Sequence, residues 1–271
     1  MVIKDGLVVI WFSVFLFGIF LMIFFKLLLK YQLVNNYIFL KEIIMVRNLI
    51  LICLICIQSV FAQDTSSEVL PVYKDLAQKR IEESEKKPVP ENDKTVMREA
   101  AEKIAKDLPA PGLKVGDQAP DFEIKNSDGK IIKLSKKLEE GPVVLSFFRG
   151  SWCPYCNIEM SVLQRSLPLF KKLNANLITV SPQTEEKSKD LKIKFQGNFD
   201  IVSDADYAIA KNYKVYHEMP AELTKLYKEK FFLDLEAFNG VGRTALPVPG
   251  TFVISREGKI VAAFCDTDYR K

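Results

Sequence analysis

From Leu113 onward, short hydrophobic runs alternate with segments whose apolar residues recur at helical spacing. The runs are rich in β-branched and aromatic residues, which is typical of buried strands; they are residues 143–148, 176–181 and 200–204, followed by a β-hairpin at 251–264. Between them, helical periodicity predicts helices at 158–173 and 185–195. Strands that alternate with helices indicate βαβ units and a largely parallel central sheet, here ending in an antiparallel hairpin.

Residues 63–112 have a different pattern, polar and charged, with strong helix formers and apolar residues at helical spacing. One pair of prolines divides this segment and a second pair ends it, and proline interrupts helices. We therefore expect a helical extension of two helices over 63–112, followed by one α/β domain over 113–271.

Hydrophobic residues dominate the first 62 positions. Leu7 to Phe25 is uncharged and about as long as a helix that crosses a hydrocarbon core of ~30 Å. The segment from Met45 to Gln63 has a basic start, an apolar stretch and a small residue before Gln63, which is typical of a secretory signal peptide. We expect residues 45–62 to be a signal peptide or a membrane anchor.

Residues 1–44 allow two interpretations. They contain no Ala and no Pro and resemble translated AT-rich, non-coding DNA, which favours Met45 as the true start. The alternative is a genuine first membrane span with Lys26 and Lys30 on its cytoplasmic flank. Under both interpretations the chain after Ala62 is expected outside the cytoplasm: exported, periplasmic, or membrane-anchored and facing the non-cytoplasmic side.

Charge and cysteine content narrow the class of protein. The chain has 38 Lys and Arg residues against 34 Asp and Glu residues, a net charge of +4 over 271 residues. This small excess does not indicate the strongly basic surface that binds nucleic acid. Two of the five cysteines fall in the signal-like segment. The three that remain do not make the disulfide framework of a small secreted domain, so the domain needs its own hydrophobic core.

Two of those cysteines, Cys153 and Cys156, lie in RGSWCPYC, between a predicted strand and a predicted helix. A helix N-terminus has free N–H groups and the positive end of the helix dipole, which favour a thiolate. Such positions lower a cysteine pKa from ~8.5 into the range of roughly 3.5–7.5. Pro154 suits the first helical position, and the spacing brings Cys156 round one turn toward Cys153.

Three kinds of chemistry fit this spacing. A zinc site needs four ligands; Cys265 and the single histidine, His217, would complete the set, but they lack a paired spacing. A structural disulfide that closes so small a loop would add little stability. We therefore favour a redox couple that needs neither metal nor cofactor, and we expect Cys265 to be a buried structural thiol.

Three segments together resemble the peroxiredoxin (alkyl hydroperoxide reductase/thiol-specific antioxidant) family of the thioredoxin-fold superfamily; they are VGDQAPDF at 115–122, FFRGSWCPYC at 147–156 and LPVPGTFVI at 246–254. More narrowly, the chain is similar to peroxiredoxin-like proteins that carry a thioredoxin-style CxxC. The resemblance implies an α/β, thioredoxin-like fold with a central mixed sheet flanked by helices. The helical extension precedes this domain.

The resemblance also implies roles for individual residues. One cysteine attacks a hydroperoxide or a disulfide and the other resolves it; exposure at the helix start favours Cys153 as the attacker, whereas the family alignment points to Cys156. A cis proline is expected opposite the cysteines, and Pro249 matches that position, with an ordinary edge-strand proline as the alternative. Arg149 is a candidate for polarising the peroxide and Trp152 for shielding the thiols. A surface arginine and plain packing are the respective alternatives.

Typical peroxiredoxins carry Thr or Ser three residues before the attacking cysteine. Here that position is Gly150 for Cys153, and Cys153 itself for Cys156. The first hypothesis is a thiol-dependent peroxidase that a thioredoxin-type dithiol reductant resets. The second is a general thiol–disulfide oxidoreductase acting on exported proteins, which the missing hydroxyl favours; the third is an inactive fold used as a binding module. A homodimer is compatible with the resemblance.

The segment from Tyr213 to Val248 is inserted before the strand that follows Pro249. It contains a predicted helix, AELTKLYKEKFF, and we expect it to border the active-site groove and to influence the choice of substrate. His217 lies in this insert, where a solvated or capping role is the expectation.

Overall fold

The computed structural model describes residues 66–271. Within that range, each helix is too short or too polar to span a bilayer. The signal peptide or membrane anchor predicted for 45–62, and the two interpretations of residues 1–44, fall outside the described residues and stay predictions.

The chain begins its described part with two helices, α1 (Ser66–Glu85) and α2 (Glu91–Asp107), as the sequence predicts for the extension. The elements that follow are β1 (Glu123–Lys125), β2 (Ile131–Lys133), α3 (Leu134–Glu140), β3 (Val143–Phe147), α4 (Pro154–Lys172), β4 (Asn176–Ser181), α5 (Glu185–Phe195), β5 (Asp200–Ser203), α6 (Ala208–Asn212), β6 (Tyr216–His217), α7 (Ala221–Lys230), α8 (Leu235–Asn239), β7 (Leu246–Pro247), β8 (Gly250–Ile254) and β9 (Ile260–Cys265).

A five-stranded mixed sheet forms the centre of the domain, in the order β5-β4-β3-β8-β9. β3 pairs in parallel with β4, and β4 pairs in parallel with β5. β8 runs antiparallel to β3, and β9 runs antiparallel to β8 as the second strand of the predicted hairpin. The predicted strands are therefore confirmed, and the hairpin continues the sheet beyond its central strand β3.

Both faces of the sheet are covered, so β3 is buried along its whole length. Leu145 and Phe147 point into one layer, where Leu134 of α3 and Ile209 of α6 pack. Successive side chains of a strand point to opposite faces, and Val144 accordingly lies on the other face of the sheet. That second layer is formed by α4 and α5, whose packed residues are Met160, Leu163, Leu167, Phe170 and Leu191.

The two helices of the extension pack against different parts of the domain. α1 lies along α4, and its Ile81 joins the hydrophobic layer that contains Val253 of β8. α2 packs on α7, where Ala100 and Val96 meet Leu223. The extension is therefore part of the folded body and not a solvated appendage.

Two further pairings of short strands were not predicted from the sequence, because strands of two or three residues are too short to show a hydrophobic periodicity. β1 and β2 form a separate two-stranded sheet. β6 and β7 form another, and this pairing brings His217 opposite Leu246, just before the chain enters β8. The pairing of β6 with β7 thereby places the insert next to β8, the strand that Pro249 immediately precedes.

Leu145→Ala tests the importance of the central strand. Leu145 is fully buried, so its truncation leaves a cavity, and we expect the free energy of unfolding to fall by about 2–5 kcal/mol. Urea denaturation measures this change. Leu173→Ala is the matched control at an exposed position, with an expected change within about 0.5 kcal/mol. Equal effects of the two substitutions would contradict the assignment of β3 to the core.

Candidate active site

The two cysteines lie where the central strand passes into α4. Cys153 is the N-cap residue and Pro154 occupies the first helical turn, as the sequence predicts. The backbone N–H of Cys156 donates to the Cys153 sulfur, with a nitrogen–sulfur distance of 3.4 Å. Both residues are free thiols and both are buried, so the predicted exposure of Cys153 at the helix start is wrong. The Cys153 sulfur therefore receives a hydrogen bond from the first turn of the helix.

The two thiols differ in their tendency to ionise. Burial by itself raises the pKa of Cys153, but the hydrogen bond from the Cys156 thiol, the charge of Arg149 and backbone N–H groups outweigh it and lower that pKa to about 7. Burial and the adjacent Cys153 raise the pKa of Cys156 well above its usual value. Since the thiolate is the nucleophile, this asymmetry favours Cys153 over Cys156 as the attacking residue.

Arg149 is buried beside the thiols and is not the surface arginine of the alternative prediction. Its guanidinium donates to the Tyr227 hydroxyl over 3.0 Å. The guanidinium carbon also lies 4.2 Å from the centre of the Tyr269 ring and 4.8 Å from that of Trp152. Arginine stays charged at any physiological pH, so these aromatic faces surround a permanent cation.

Trp152 packs against the hydrophobic layer that contains Cys153 and Cys156, in a position compatible with the predicted shield. Tyr269 joins the same layer and stacks edge-on against Tyr155, with 5.7 Å between the ring centres. The Cys153 side chain has no exposed surface as a result. Aromatic side chains therefore separate the dithiol from bulk water.

Gly150 lies three positions before Cys153, where the resemblance described above leads us to expect Thr or Ser. Its φ of 153° lies in a region that side chains other than glycine rarely adopt. A Cβ atom there would also collide with the indole nitrogen of Trp152. Threonine or serine at this position is therefore incompatible with the observed turn.

The predicted cis bond before Pro249 is wrong, because every peptide bond among residues 66–271 is trans. The reason lies in the flanking backbone. Leu246–Pro247 pairs with β6, the Val248 N–H donates to the Val215 carbonyl over 2.7 Å, and β8 begins at Gly250. A trans bond carries this extended chain from one pairing to the next without a reversal.

The turn before Cys153 is held by two side chains that the sequence analysis missed. The buried Gln183 accepts a hydrogen bond from the Ser151 N–H at 3.0 Å. Asn157, from the first turn of α4, donates to the Ser151 carbonyl at 2.9 Å. Gln183 follows β4, and its proximity to residue 151 could be inferred only from the parallel pairing of β3 with β4.

Glu159, one helical turn after Cys156, is a third side chain that the sequence analysis missed. Its carboxyl accepts hydrogen bonds from Ser146 of β3 and Thr251 of β8, each at 3.1 Å. Burial raises the pKa of Glu159, while the two hydroxyl donors lower it by a smaller amount. The sequence signal for this site was a single acidic residue among the apolar residues of a helix predicted to be buried on one face.

The structure does not bring Cys265 and His217 into a metal site with the dithiol. Among residues 66–271, no group of three or more His, Cys, Asp or Glu side chains is placed to hold a metal ion. Cys265 is half-buried, not fully buried as predicted, and it packs against the other face of the sheet, where burial raises its pKa to about 12. Burial thus shifts the pKa of Cys265 upward, whereas the pKa of Cys153 is lowered.

A mixed sheet with a CxxC pair at the start of a helix defines a thioredoxin-fold dithiol protein. The family model for the AhpC/TSA family matches residues 115–263. Among relatives, the chain is 28% identical to peroxiredoxin Bcp of Bacillus subtilis over 55% of this chain and 83% of that protein. It is 25% identical to peroxiredoxin Bcp of Escherichia coli over 57% of this chain and 86% of that protein.

Among solved structures, the chain is similar to peroxidoxin BcpB from Mycobacterium tuberculosis, with a TM-score of 0.46 and 22% identity over 58% of this chain and 91% of that chain. The family model covers more than half of the sequence, including β3, β4, β5 and β8, most of β9, and both Cys153 and Cys156. The protein therefore belongs to the AhpC/TSA family. It is a peroxiredoxin-like oxidoreductase of thioredoxin fold.

Arg149→Met tests the electrostatic control of Cys153. With a pKa of about 7, the Cys153 thiolate is expected to be lost as the pH falls below that value. Removing the cation stabilises the protonated thiol, so we expect the midpoint to rise by about one pH unit or more. Thiolate ultraviolet absorbance, corrected with Cys153→Ser, gives the midpoint.

Arg165→Met is the control for this titration, because Arg165 lies on the same helix but is exposed. We expect no change of the midpoint there. A midpoint that stays near pH 7 in Arg149→Met would show that the guanidinium does not set the ionisation of Cys153.

Proposed function

We propose that this protein reduces hydroperoxides with Cys153 as the attacking thiol and Cys156 as the resolving thiol, and that a thioredoxin-type dithiol protein resets the pair. The assignment of the attacking role to Cys153 and the resolving role to Cys156 rests on one observation. The thiol with the lowered pKa caps the N-terminus of α4 beside a buried guanidinium, while its partner one turn away has a raised pKa. Membership of the AhpC/TSA family supports the reaction class.

The reaction balances with these two thiols. The Cys153 thiolate attacks the terminal oxygen of ROOH, the O–O bond breaks, and the leaving alkoxide takes a proton to become ROH. Cys153 is then a sulfenic acid. The Cys156 sulfur attacks it, an S–S bond forms and water leaves. An external dithiol reduces the disulfide and is itself oxidised.

Arg149 has two roles in this scheme. Its charge favours the thiolate before the attack, and it offers N–H donors where negative charge develops on the leaving oxygen. The guanidinium is held by Tyr227 and by aromatic rings, which leave its orientation fixed. It is the group best placed to compensate for the hydroxyl that Gly150 cannot supply.

A second function has its own support. Cys153 and Cys156 share one helical turn, and the position three residues before Cys153 has no hydroxyl. Both features suit exchange with protein disulfides, in which a mixed disulfide on Cys153 would be resolved by Cys156. A general thiol–disulfide oxidoreductase that acts on exported proteins is therefore the alternative.

We also propose that the protein acts outside the cytoplasm, as an exported, periplasmic or membrane-anchored enzyme. The support is the sequence of residues 45–62, with its basic start, apolar stretch and small residue before Gln63. N-terminal sequencing of the protein from a cell-envelope fraction checks the proposal. A mature chain that begins at Gln63 supports a signal peptide, a retained apolar segment supports an anchor, and recovery only from the cytoplasm contradicts both.

Turnover assays of cysteine variants separate the two functions. With hydrogen peroxide and a thioredoxin system, we expect peroxide-dependent oxidation of the reductant, lost by at least a hundredfold in Cys153→Ser because the nucleophile is absent. Cys156→Ser is expected to stop after one turnover as a sulfenic acid that dimedone labels. Cys265→Ser, with a thiol against the other sheet face, is the control and keeps full activity.

Insulin reduction is measured on the same samples. Insulin reduction without peroxide turnover would favour the oxidoreductase, and absence of both activities would favour a binding module. Sedimentation of the active protein tests whether it is a homodimer.

A further inference from the structure

Residues 266–271, which follow β9, form a turn that is held together mainly by its own hydrogen bonds; we call it the Tyr269 turn. The Asp268 carboxylate accepts two hydrogen bonds from the Arg270 guanidinium, at 2.7 and 2.8 Å. In the part of the chain that the structure describes, one hydrogen bond joins this turn to another element: the Tyr73 hydroxyl of α1 donates to the Lys271 carbonyl over 3.3 Å. The turn is therefore attached to the rest of the protein chiefly by side-chain packing.

Tyr269 supplies that packing. Its ring centre lies 4.2 Å from the guanidinium carbon of Arg149, closer than the ring of Trp152 at 4.8 Å or that of Tyr227 at 6.0 Å. A cation within about 6 Å of a ring centre is attracted by the negative face of the ring, and the attraction is stronger where water is excluded. Trp152 precedes Cys153 directly and Tyr227 belongs to α7, whereas Tyr269 lies outside the segment that the family model matches.

The position of the Arg149 guanidinium depends on this ring. Arg149 has no acidic partner among the described residues, and its hydrogen bond to the Tyr227 hydroxyl engages one side of the guanidinium. Loss of the Tyr269 ring would let water reach the cation. A hydrated cation stabilises a neighbouring anion less than a dry one, because water screens its charge. The Cys153 thiolate would therefore lose part of its stabilisation.

Other ionisable groups face Arg149 and Cys153 from each element packed around them: Tyr155, Cys156 and Glu159 of α4, Tyr73 of α1, His217 of β6, Tyr227 of α7, and Tyr269. Burial raises the pKa of Tyr73 to about 12 and also raises the pKa of Tyr269. Burial lowers the pKa of His217 to about 4 and raises that of Cys156. These shifts favour the neutral form of each group near pH 7. Burial also raises the pKa of Glu159, whose carboxyl bonds to the sheet.

We propose that Tyr269 is a positioning residue of the reaction: its ring holds the Arg149 guanidinium beside Cys153, and Cys153 is an effective nucleophile only while the Tyr269 turn covers this arginine. The inference rests on the proposed function for the role of Cys153 as the attacking thiol. Coupling of this kind is reciprocal, so the thiolate stabilises the closed turn as much as the closed turn stabilises the thiolate. Oxidation of Cys153 to a sulfenic acid removes that negative charge and therefore favours opening of the turn.

Tyr269→Leu removes the ring and keeps an apolar side chain. We expect the ionisation midpoint of Cys153 to rise by about half a pH unit or more, because the guanidinium is hydrated and no longer held in place. The rate at which iodoacetamide alkylates Cys153 in the full chain gives the midpoint, with fragment masses that separate Cys153 from Cys156. Near pH 6 the rate is expected to fall about threefold, whereas near pH 9, where the thiolate predominates in both proteins, it is expected not to fall.

Two further variants show whether the ring is the feature that matters. Tyr269→Phe keeps the ring, so its midpoint is expected to equal that of the unchanged protein within measurement error. Phe264→Leu is the matched control, because Phe264 is an exposed aromatic residue of β9 whose ring is not among those that contact Arg149. Tyr269→Met repeats the test without a ring if Tyr269→Leu does not unfold cooperatively in urea.

Three results would overturn the inference: an unchanged midpoint in the ringless variants, an equal shift in Tyr269→Phe, or faster alkylation at every pH with no shift of the midpoint. The last result would show that Tyr269 only shields the thiol. Alkylation does not require peroxide turnover, so the two possible failures are distinguishable. Peroxide reduction with a midpoint independent of Tyr269 overturns this inference alone. A midpoint that depends on Tyr269 in a protein that reduces no peroxide overturns the proposed function alone.

Discussion

A buried positive charge beside an ionisable sulfur is the interaction on which the site depends. Arg149 is withdrawn from water, and none of the ion pairs found among residues 66–271 includes it. Burying an unpaired cation is costly, and aromatic faces and one tyrosine hydroxyl compensate for only part of that cost. The Cys153 thiolate supplies the missing negative charge. The cation stabilises the thiolate and the thiolate stabilises the cation, so the free energy that lowers the thiol pKa also keeps the arginine in place.

The fold makes this arrangement rigid. Arg149 and Cys153 lie on either side of a turn between the central strand β3 and the long helix α4, both of which are covered by packed layers. Gly150 gives the turn a conformation that excludes a side chain, and Gln183 and Asn157 hold the backbone of Ser151 from two sides. A side chain at position 150 would therefore strain the turn that places the thiol.

The chain consists of a segment that matches the AhpC/TSA family model and of elements that lie outside that segment. The segment matched by the AhpC/TSA family model contains nearly all of the central sheet, the dithiol and Arg149, and therefore the residues of the redox site. The helix α2 and Tyr269 lie outside that segment, yet both line a cavity of about 490 Å³ that Arg149 also lines. The other helix of the extension, α1, covers α4 and one face of β8. The elements outside the matched segment therefore cover the surroundings of the buried Arg149, while the two reacting sulfur atoms lie within it.

The sequence by itself determined the strands, the main helices, the mixed α/β architecture and the position of Cys153 and Cys156 at a helix start, because hydrophobic periodicity and cap chemistry are local properties. It did not determine the partners of Arg149, the ionisation order of the two thiols or the trans bond at Pro249. These depend on groups far apart along the chain: Tyr227 is 78 residues from Arg149, and Gln183 is 32 residues from Ser151. Only the packing of strands, insert and extension brings such groups within a few ångströms, where burial and charge act on the thiol.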